Sequence, residues 1–83
     1  MVKDIKEGDF LIVAGGYERM PLRFVVTGRL SRGERTLTFF GKYIFVNSDG
    51  GYYLSSESTI HKNDVIRKIT DEALIIQIRL LLA

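Results

Sequence analysis

The strongest indication of fold in this chain is the alternation of apolar and polar side chains over residues 22–30, LRFVVTGRL. The side chains predicted to share one face are those of Leu22, Phe24, Val26, Gly28 and Leu30, and the other face carries Arg23, Val25, Thr27 and Arg29. A period of two with one largely apolar face is typical of a half-buried β-strand. Gly28 lies on the apolar face, where a glycine predicts a sharp bend or the close approach of another backbone. Strongly bent strands allow a small sheet to close into a barrel.

Other runs of β-forming residues recur along the chain between turn signals. Besides residues 22–30, the predicted strands are 9–14, 35–40, 43–46, a strand that begins with 52–54, then 59–60 and 65–69. Gly41 and Lys42 are predicted to break the strand structure between 35–40 and 43–46. Residues 61–64 are predicted to form a tight connection between the strands 59–60 and 65–69. Short strands at this spacing indicate a sandwich or a small barrel. For a single domain spanning residues 1–83, we predict a mainly β protein built as a strongly bent, five-stranded antiparallel barrel.

The C-terminal residues 71–83 are compatible with either a helix or a last strand. Thr70 followed by two acids suits a helix start, with the threonine as its N-cap. Nine of the eleven residues that follow are apolar. A helix that is apolar nearly all round must be buried or covered by another subunit. The alternation of Ile76, Ile78 and Leu80 with polar residues fits a strand instead, so we predict a possible C-terminal helix.

The residue inventory disfavours catalysis and metal binding. Cysteine is absent and His61 is the sole histidine, so the usual zinc site of three or four nitrogen or sulfur ligands cannot form. The sequence contains neither a glycine-framed nucleophile elbow nor a phosphate-binding glycine loop followed by lysine and a hydroxyl residue. We therefore expect a protein that binds a partner without transforming it, and that uses no cofactor and no metal.

Charge and hydropathy bear on the compartment and the partners. The net charge of +2 is only mildly basic, but residues 18–35 contain five arginines and two glutamates, which fits either a solvated hairpin or a binding surface. The first seven residues carry four charges, unlike a secretory signal, and the apolar residues 74–83 are too few to span a bilayer of about 30 Å. We expect a cytoplasmic protein with no membrane partner. The phenylalanines are expected mainly in the core, and the tyrosines at a surface or an interface.

Two segments carry a pattern that belongs to a known family. Residues 26–30, VTGRL, place a glycine between two spacers and two apolar residues; the acid Glu34 and the apolar strand 37–40 follow. Residues 60–65, IHKNDV, have a short strand, a tight polar turn and another short strand. These segments resemble the two motifs of the Sm-like family, which includes the Sm, Lsm and bacterial Hfq proteins.

The resemblance implies a bent five-stranded barrel of the Sm-like or SH3-like kind that assembles edge to edge into a homo-oligomeric ring of about five to seven subunits. It also implies that single-stranded RNA binds near the pore of the ring. The RNA-binding residues implied are Glu34, Arg35, Thr36, Thr38, His61 and Lys62. Arg35, His61 and Lys62 would contact phosphates, and the two threonines would contact bases or ribose weakly.

A second hypothesis uses the same architecture without RNA. Small SH3-like barrels also serve as structural parts and protein-interaction modules, because fold does not determine function. The two hypotheses differ in where the basic side chains lie. If the basic side chains converge on one face, the RNA-binding hypothesis is favoured. If they are scattered, the interaction-module hypothesis is favoured. The residues that decide this are Arg29, Arg32, Arg35, His61 and Lys62.

Overall fold

The computed structural model describes residues 4–15, 22–32 and 35–83. Its elements are β1 (Phe10–Val13), β2 (Leu22–Arg32), β3 (Arg35–Val46), β4 (Tyr52–Leu54), β5 (Ser58–His61), a 3₁₀ turn (Lys62–Asp64), β6 (Val65–Lys68) and α1 (Glu72–Leu82). Within the described residues, the six strands form one antiparallel sheet in the order β4-β3-β2-β1-β6, and β5 also pairs with β3. The prediction of a mainly β, antiparallel protein is confirmed.

The strand β3 is continuous, so the predicted interruption at Gly41 and Lys42 is wrong. Both residues pair with β2, where Gly41 lies opposite Val26 and Lys42 opposite Val25. The other edge of β3 is shared, because β5 pairs with its residues 38–41 and β4 with its last three residues. The described sheet therefore has six strands rather than the predicted five, but β4 and β5 together occupy the place of one interrupted strand.

An irregularity in the pairing of β2 with β3 changes the face on which Gly28 lies. Val26 is opposite Gly41, whereas Gly28 is opposite Phe40, so β2 holds one residue more than β3 between these two pairs. An extra residue of this kind bends the strand and reverses the alternation beyond it. The predicted bend is therefore found here, but Gly28 lies on the face opposite Val26, which corrects its predicted place. The close approach of another backbone occurs at Gly41 instead.

The two ends of the sheet lie close together. β5 and β6 are separated by three other strands, so a flat sheet would hold them about 19 Å apart at a strand spacing near 4.8 Å. Only the 3₁₀ turn Lys62–Asp64 links them, and four residue steps span at most about 15 Å even when fully extended. The sheet must therefore curl.

The curled sheet is apolar on both faces. The first core contains Ile5, Leu11, Val13, Phe24, Val26, Phe39 and Ile60. The second core lies under α1 and contains Phe10, Val25, Ile44, Ile69, Leu74 and Ile78. Successive residues of β2 enter different cores, because neighbouring side chains of a strand point to opposite faces. Val25 is thus fully buried although it belongs to the face predicted to be polar.

The C-terminal residues form the helix α1, which resolves the alternative between helix and strand. Its N-cap is Asp71 rather than Thr70, because the Asp71 Oδ1 accepts hydrogen bonds from the amides of Ala73 and Leu74 at 3.1 and 3.4 Å. A carboxylate suits this position, since it also faces the positive end of the helix dipole. Among the described residues, no helix is both long enough and apolar enough to cross a membrane.

Candidate functional site

A small surface on β3 and β5 brings together residues from both of the motif-like segments. Thr38 lies directly opposite His61, and Phe40 directly opposite Thr59. Side chains of directly opposed residues, and of residues two apart on a strand, project from the same face. We call these four side chains the Phe40 face. They project from the side of the sheet opposite Phe39, which is buried in the first core.

The Phe40 face is accessible at its centre. Phe40, Thr38 and His61 are half-buried and Thr59 is exposed. On β2, the residue opposite Phe40 is Gly28, whose added Cβ would lie 3.9 Å from the Cβ and Cδ2 of Phe40. Because glycine has no side chain, the residue directly opposite Phe40 on β2 does not cover the ring. A half-exposed ring on a sheet offers a flat apolar surface, which is the requirement for stacking a nucleobase.

His61 is held by the turn that follows it. Its Nδ1 accepts a hydrogen bond from the amide of Asn63 at 3.0 Å, so the imidazole caps the 3₁₀ turn Lys62–Asp64. A ring nitrogen that accepts a hydrogen bond carries no proton, and in the neutral ring the proton then lies on Nε2. The capped imidazole can therefore donate from Nε2 to a phosphate, carbonyl or ring-nitrogen acceptor of a ligand.

The positive charges of the described residues do not all converge on this surface. Lys42 follows Phe40 by two residues, lies on the same face and is half-buried, and Lys62 directly follows His61. Arg29, in contrast, is the cross-strand partner of Phe39, which places this exposed arginine on the other face of the sheet. The Phe40 face thus has Lys42 on the same side of the sheet and Lys62 next to it in the chain, whereas Arg29 of β2 lies on the other side.

The structure brings together only part of the predicted RNA-binding set. Thr38 and His61 are direct partners, and Lys62 is adjacent. Glu34 lies outside the described residues. Arg35 and Thr36 belong to β3, but only their backbone is described. The same holds for Arg32, which is the cross-strand partner of Arg35.

Sequence reasoning missed three residues of this region, namely Phe40, Thr59 and Lys42. Phe40 was assigned to the apolar strand together with Phe39, although alternation within the strand places it on the face of Thr38, opposite that of Leu37 and Phe39. The register with β5 shows which of the two faces is covered, since Phe39 opposes the buried Ile60. No group of three or more side chains suited to a metal ion occurs in the described part of the chain.

A second aromatic surface lies at the β3–β4 end of the sheet. The Tyr43 and Phe45 ring centroids are 6.3 Å apart, and those of Phe45 and Tyr53 are 5.4 Å apart. We call these three residues the aromatic ladder. Tyr43 also packs edge-on against Phe24 at 5.1 Å, so one end of the ladder is anchored in the first core. Tyr53 is 48% exposed, as expected for a tyrosine with a polar end.

No protein-family model, no curated protein and no solved structure matches this chain.

Proposed function

We propose that this protein binds single-stranded RNA through the Phe40 face, as a non-catalytic, Sm-like small barrel that assembles into a homo-oligomeric ring. The observation that carries the proposal is the direct pairing of Thr38 with His61. One residue comes from the strand that follows the first motif-like segment and the other from the second segment, and these are the segments that bind RNA in the Sm-like family. Phe40 supplies an aromatic ring for stacking on a base, which neither threonine of the implied RNA-binding set can do.

Each group on this surface has a role in the proposed binding. Phe40 stacks on one base, and such a contact is worth about 1–3 kcal/mol. The hydroxyls of Thr38 and Thr59 and the Nε2 of His61 make hydrogen bonds to base edges or to ribose. Lys62 and Lys42 neutralise phosphates, which gives affinity that depends little on sequence and falls steeply with salt. With few cations at the site, stacking contributes a large share of the affinity.

The test is a titration of fluorescently labelled single-stranded RNA at several salt concentrations. We expect Phe40→Ser to weaken binding about 5- to 150-fold. The matched control is Tyr53→Ser, which removes an exposed aromatic ring from β4, beside the far end of β3, and should leave the affinity unchanged. Lys62→Ala should reduce the slope of log affinity against log salt by about 0.7, the value for one phosphate contact to a single strand. Absence of binding at low salt contradicts the proposal.

The proposed ring uses the two ends of the sheet. In the described residues, β5 pairs only with β3 and β6 only with β1, so each has an edge without a partner. Free edges readily pair with another chain. If β5 of one copy pairs with β6 of the next, the head-to-tail contact closes into a ring. Ile66 on β6 is 55% exposed, which an edge-to-edge contact would cover.

The absolute mass in solution, measured by light scattering behind a sizing column, tests the ring. We expect about five to seven copies per ring, or a multiple of that number if rings stack. Ile66→Lys should lower the mass, because a lysine on an edge strand opposes pairing. Val46→Lys introduces the same residue at a site on β3 that is 50% exposed, and should leave the mass unchanged. A wild-type monomer at all concentrations rules the ring out.

The aromatic ladder supports one alternative function, that of a protein-interaction module on an SH3-like barrel. Exposed aromatic strips on small barrels bind extended, proline-rich peptides. The scatter of Arg29 away from the Phe40 face also favours this alternative. The same variants discriminate between the two functions: a proline-rich peptide should lose affinity for Tyr53→Ser and keep it for Phe40→Ser, the reverse of the result expected with RNA.

A further inference from the structure

The outer side of α1 carries a stripe of residues that the fold leaves exposed. Glu72, Ile76 and Arg79 are exposed and Ile75 is half-buried, and the four line an open depression of about 370 Å³. Ile76 is 57% exposed. We call these four residues the α1 stripe. Their spacing of three and four residues places them on one side of the helix, away from Leu74 and Ile78, which are buried against the sheet.

The α1 stripe is self-complementary in charge. Glu72 and Arg79 are seven residues apart, about 10 Å along the helix axis, and the midpoint between them falls between Ile75 and Ile76. A twofold axis through that midpoint, perpendicular to the helix, places Glu72 of one copy opposite Arg79 of another, and Arg79 opposite Glu72. Among the described residues, neither side chain forms an ion pair within its own chain. The apolar centre of one stripe would lie against the other at the usual helix separation of about 8–10 Å.

We propose that α1 pairs antiparallel with α1 of a second copy of this chain, through the α1 stripe and about a twofold axis. The contact joins identical surfaces and therefore closes at two copies. It covers Ile76 and satisfies both charges. Leu80, 72% exposed and one turn beyond Ile76, lies at the margin of the same contact. This interface is separate from the strand edges of the proposed ring and does not depend on RNA binding.

The pairing makes a prediction about mass that holds whether or not a ring forms. If the strand edges do not pair, the wild type is a dimer. If they pair into a ring, two rings stack through their helices and the total number of copies is even. Breaking the helix contact halves the mass in either case. An odd number of copies in the wild type, including a monomer, overturns the proposal.

Charge reversal provides the decisive experiment, with light scattering behind a sizing column as the measurement. Glu72→Arg places arginine against arginine at both ends of the stripe, and Arg79→Glu places glutamate against glutamate. Turning two attractive pairs into two repulsive ones should weaken the contact on the order of tenfold or more, so each variant alone should show half the wild-type mass near the dissociation constant of the contact. Mixing the two variants in equal amounts restores opposite charges at both ends and should restore the wild-type mass.

The controls separate the helix contact from folding and from net charge. Glu7→Arg makes the same change in charge as Glu72→Arg at an exposed position outside α1, and should keep the wild-type mass. Glu72 and Arg79 are both exposed, so the charge-reversal variants should remain folded, and urea unfolding curves check this. If the single variants keep the wild-type mass, or if the mixture stays at half mass, the pairing geometry is wrong and another surface or a different segment covers the stripe. RNA titration of the same variants tests the proposed function separately, because the Phe40 face is unchanged in them.

Discussion

Replacing Gly41 by alanine tests the tightest packing in the sheet. Gly41 is buried on β3, and a Cβ added there would overlap the carbonyl oxygen of Val25 and the Cε2 of Phe24, with the Phe24 Cζ at 2.6 Å. Real Cβ atoms essentially never approach other heavy atoms this closely. Val25 and Phe24 are themselves 0% exposed, so neither the strand nor the ring can move away without disturbing one of the two cores.

The loss of unfolding free energy in Gly41→Ala depends on which atoms must move to make room for the new methyl group. Overpacking a core usually costs about 1–3 kcal/mol, and more where backbone must shift. Since the obstacles at Gly41 are a backbone oxygen and a fully buried ring, we expect a loss of about 3 kcal/mol in the free energy of unfolding. A chain of 83 residues has a total of roughly 4–12 kcal/mol. The midpoint of thermal unfolding should fall by about 12–24 °C for this loss.

Urea unfolding followed by far-ultraviolet circular dichroism measures the effect, at one protein concentration because association would also change the apparent stability. The matched control is Gly28→Ala, on the neighbouring strand. Its new methyl group would have no neighbour closer than 3.9 Å, and its φ lies outside the left-handed region. Alanine there should be neutral or should stabilise by up to about 1 kcal/mol, since glycine loses more conformational freedom on folding. Equal effects of the two substitutions, or a loss below about 1 kcal/mol at Gly41, would refute the packing argument.

Three further changes test other parts of the fold by urea unfolding. Asp71→Ala removes the acceptor of the first-turn amides of α1 and should cost about 1 kcal/mol, most of which Asp71→Asn should retain. Ile78→Ala truncates a side chain that is 0% exposed and should cost about 2–5 kcal/mol, whereas the adjacent exposed Gln77→Ala should stay within about 0.5 kcal/mol. Lys68→Met removes the 3.1 Å ion pair with Asp9 and the 2.6 Å hydrogen bond that the Lys68 Nζ donates to the Asp4 carbonyl, and should cost about 1–2 kcal/mol, with a smaller difference in 1 M salt. A larger loss at Gln77 than at Ile78 would show that the placement of α1 is wrong.

The elements of this fold were largely predictable because each depends on local pattern. The alternation in β2 and the acids at the start of α1 are readable in sequence, although the N-cap differs by one residue. Which face a residue occupies was harder to predict, because it depends on pairing between distant segments. The extra residue between Val26 and Gly28 has no signature other than the glycine itself, yet it reverses the alternation beyond it. The burial of Val25 also depends on a distant segment, because α1, which covers it, begins 47 residues later in the chain.

The same limit applies to the candidate site. The meeting of Thr38 with His61 follows from pairing of the two motif-like segments, which the resemblance to the Sm-like family implied. The position of Phe40 agrees with the alternation within β3, where Thr38 shares its face and Leu37 shares the face of Phe39. Which of these two faces is covered is decided by the partner strand, which sets Ile60 against Phe39 in the core and leaves Thr59 against Phe40.

The helix α1 covers only part of the face of β3 that carries Phe40, Lys42 and Ile44. Ile44 is buried in the second core beneath the helix, Phe40 is half-exposed, and Lys42 lies between them on the same face. The helix therefore ends the apolar cover before it reaches the Phe40 face. The α1 stripe lies on a different side of the helix from the residues that meet the sheet, so pairing of two helices covers the stripe without covering Phe40. Charge reversal in α1 should consequently change the mass and leave RNA affinity within about twofold. Phe40→Ser should weaken RNA binding and leave the mass unchanged. If the two sets of variants instead changed both properties together, the Phe40 face and the α1 stripe would have to belong to one continuous interface, and the separation drawn from the burial of Ile44 would be wrong.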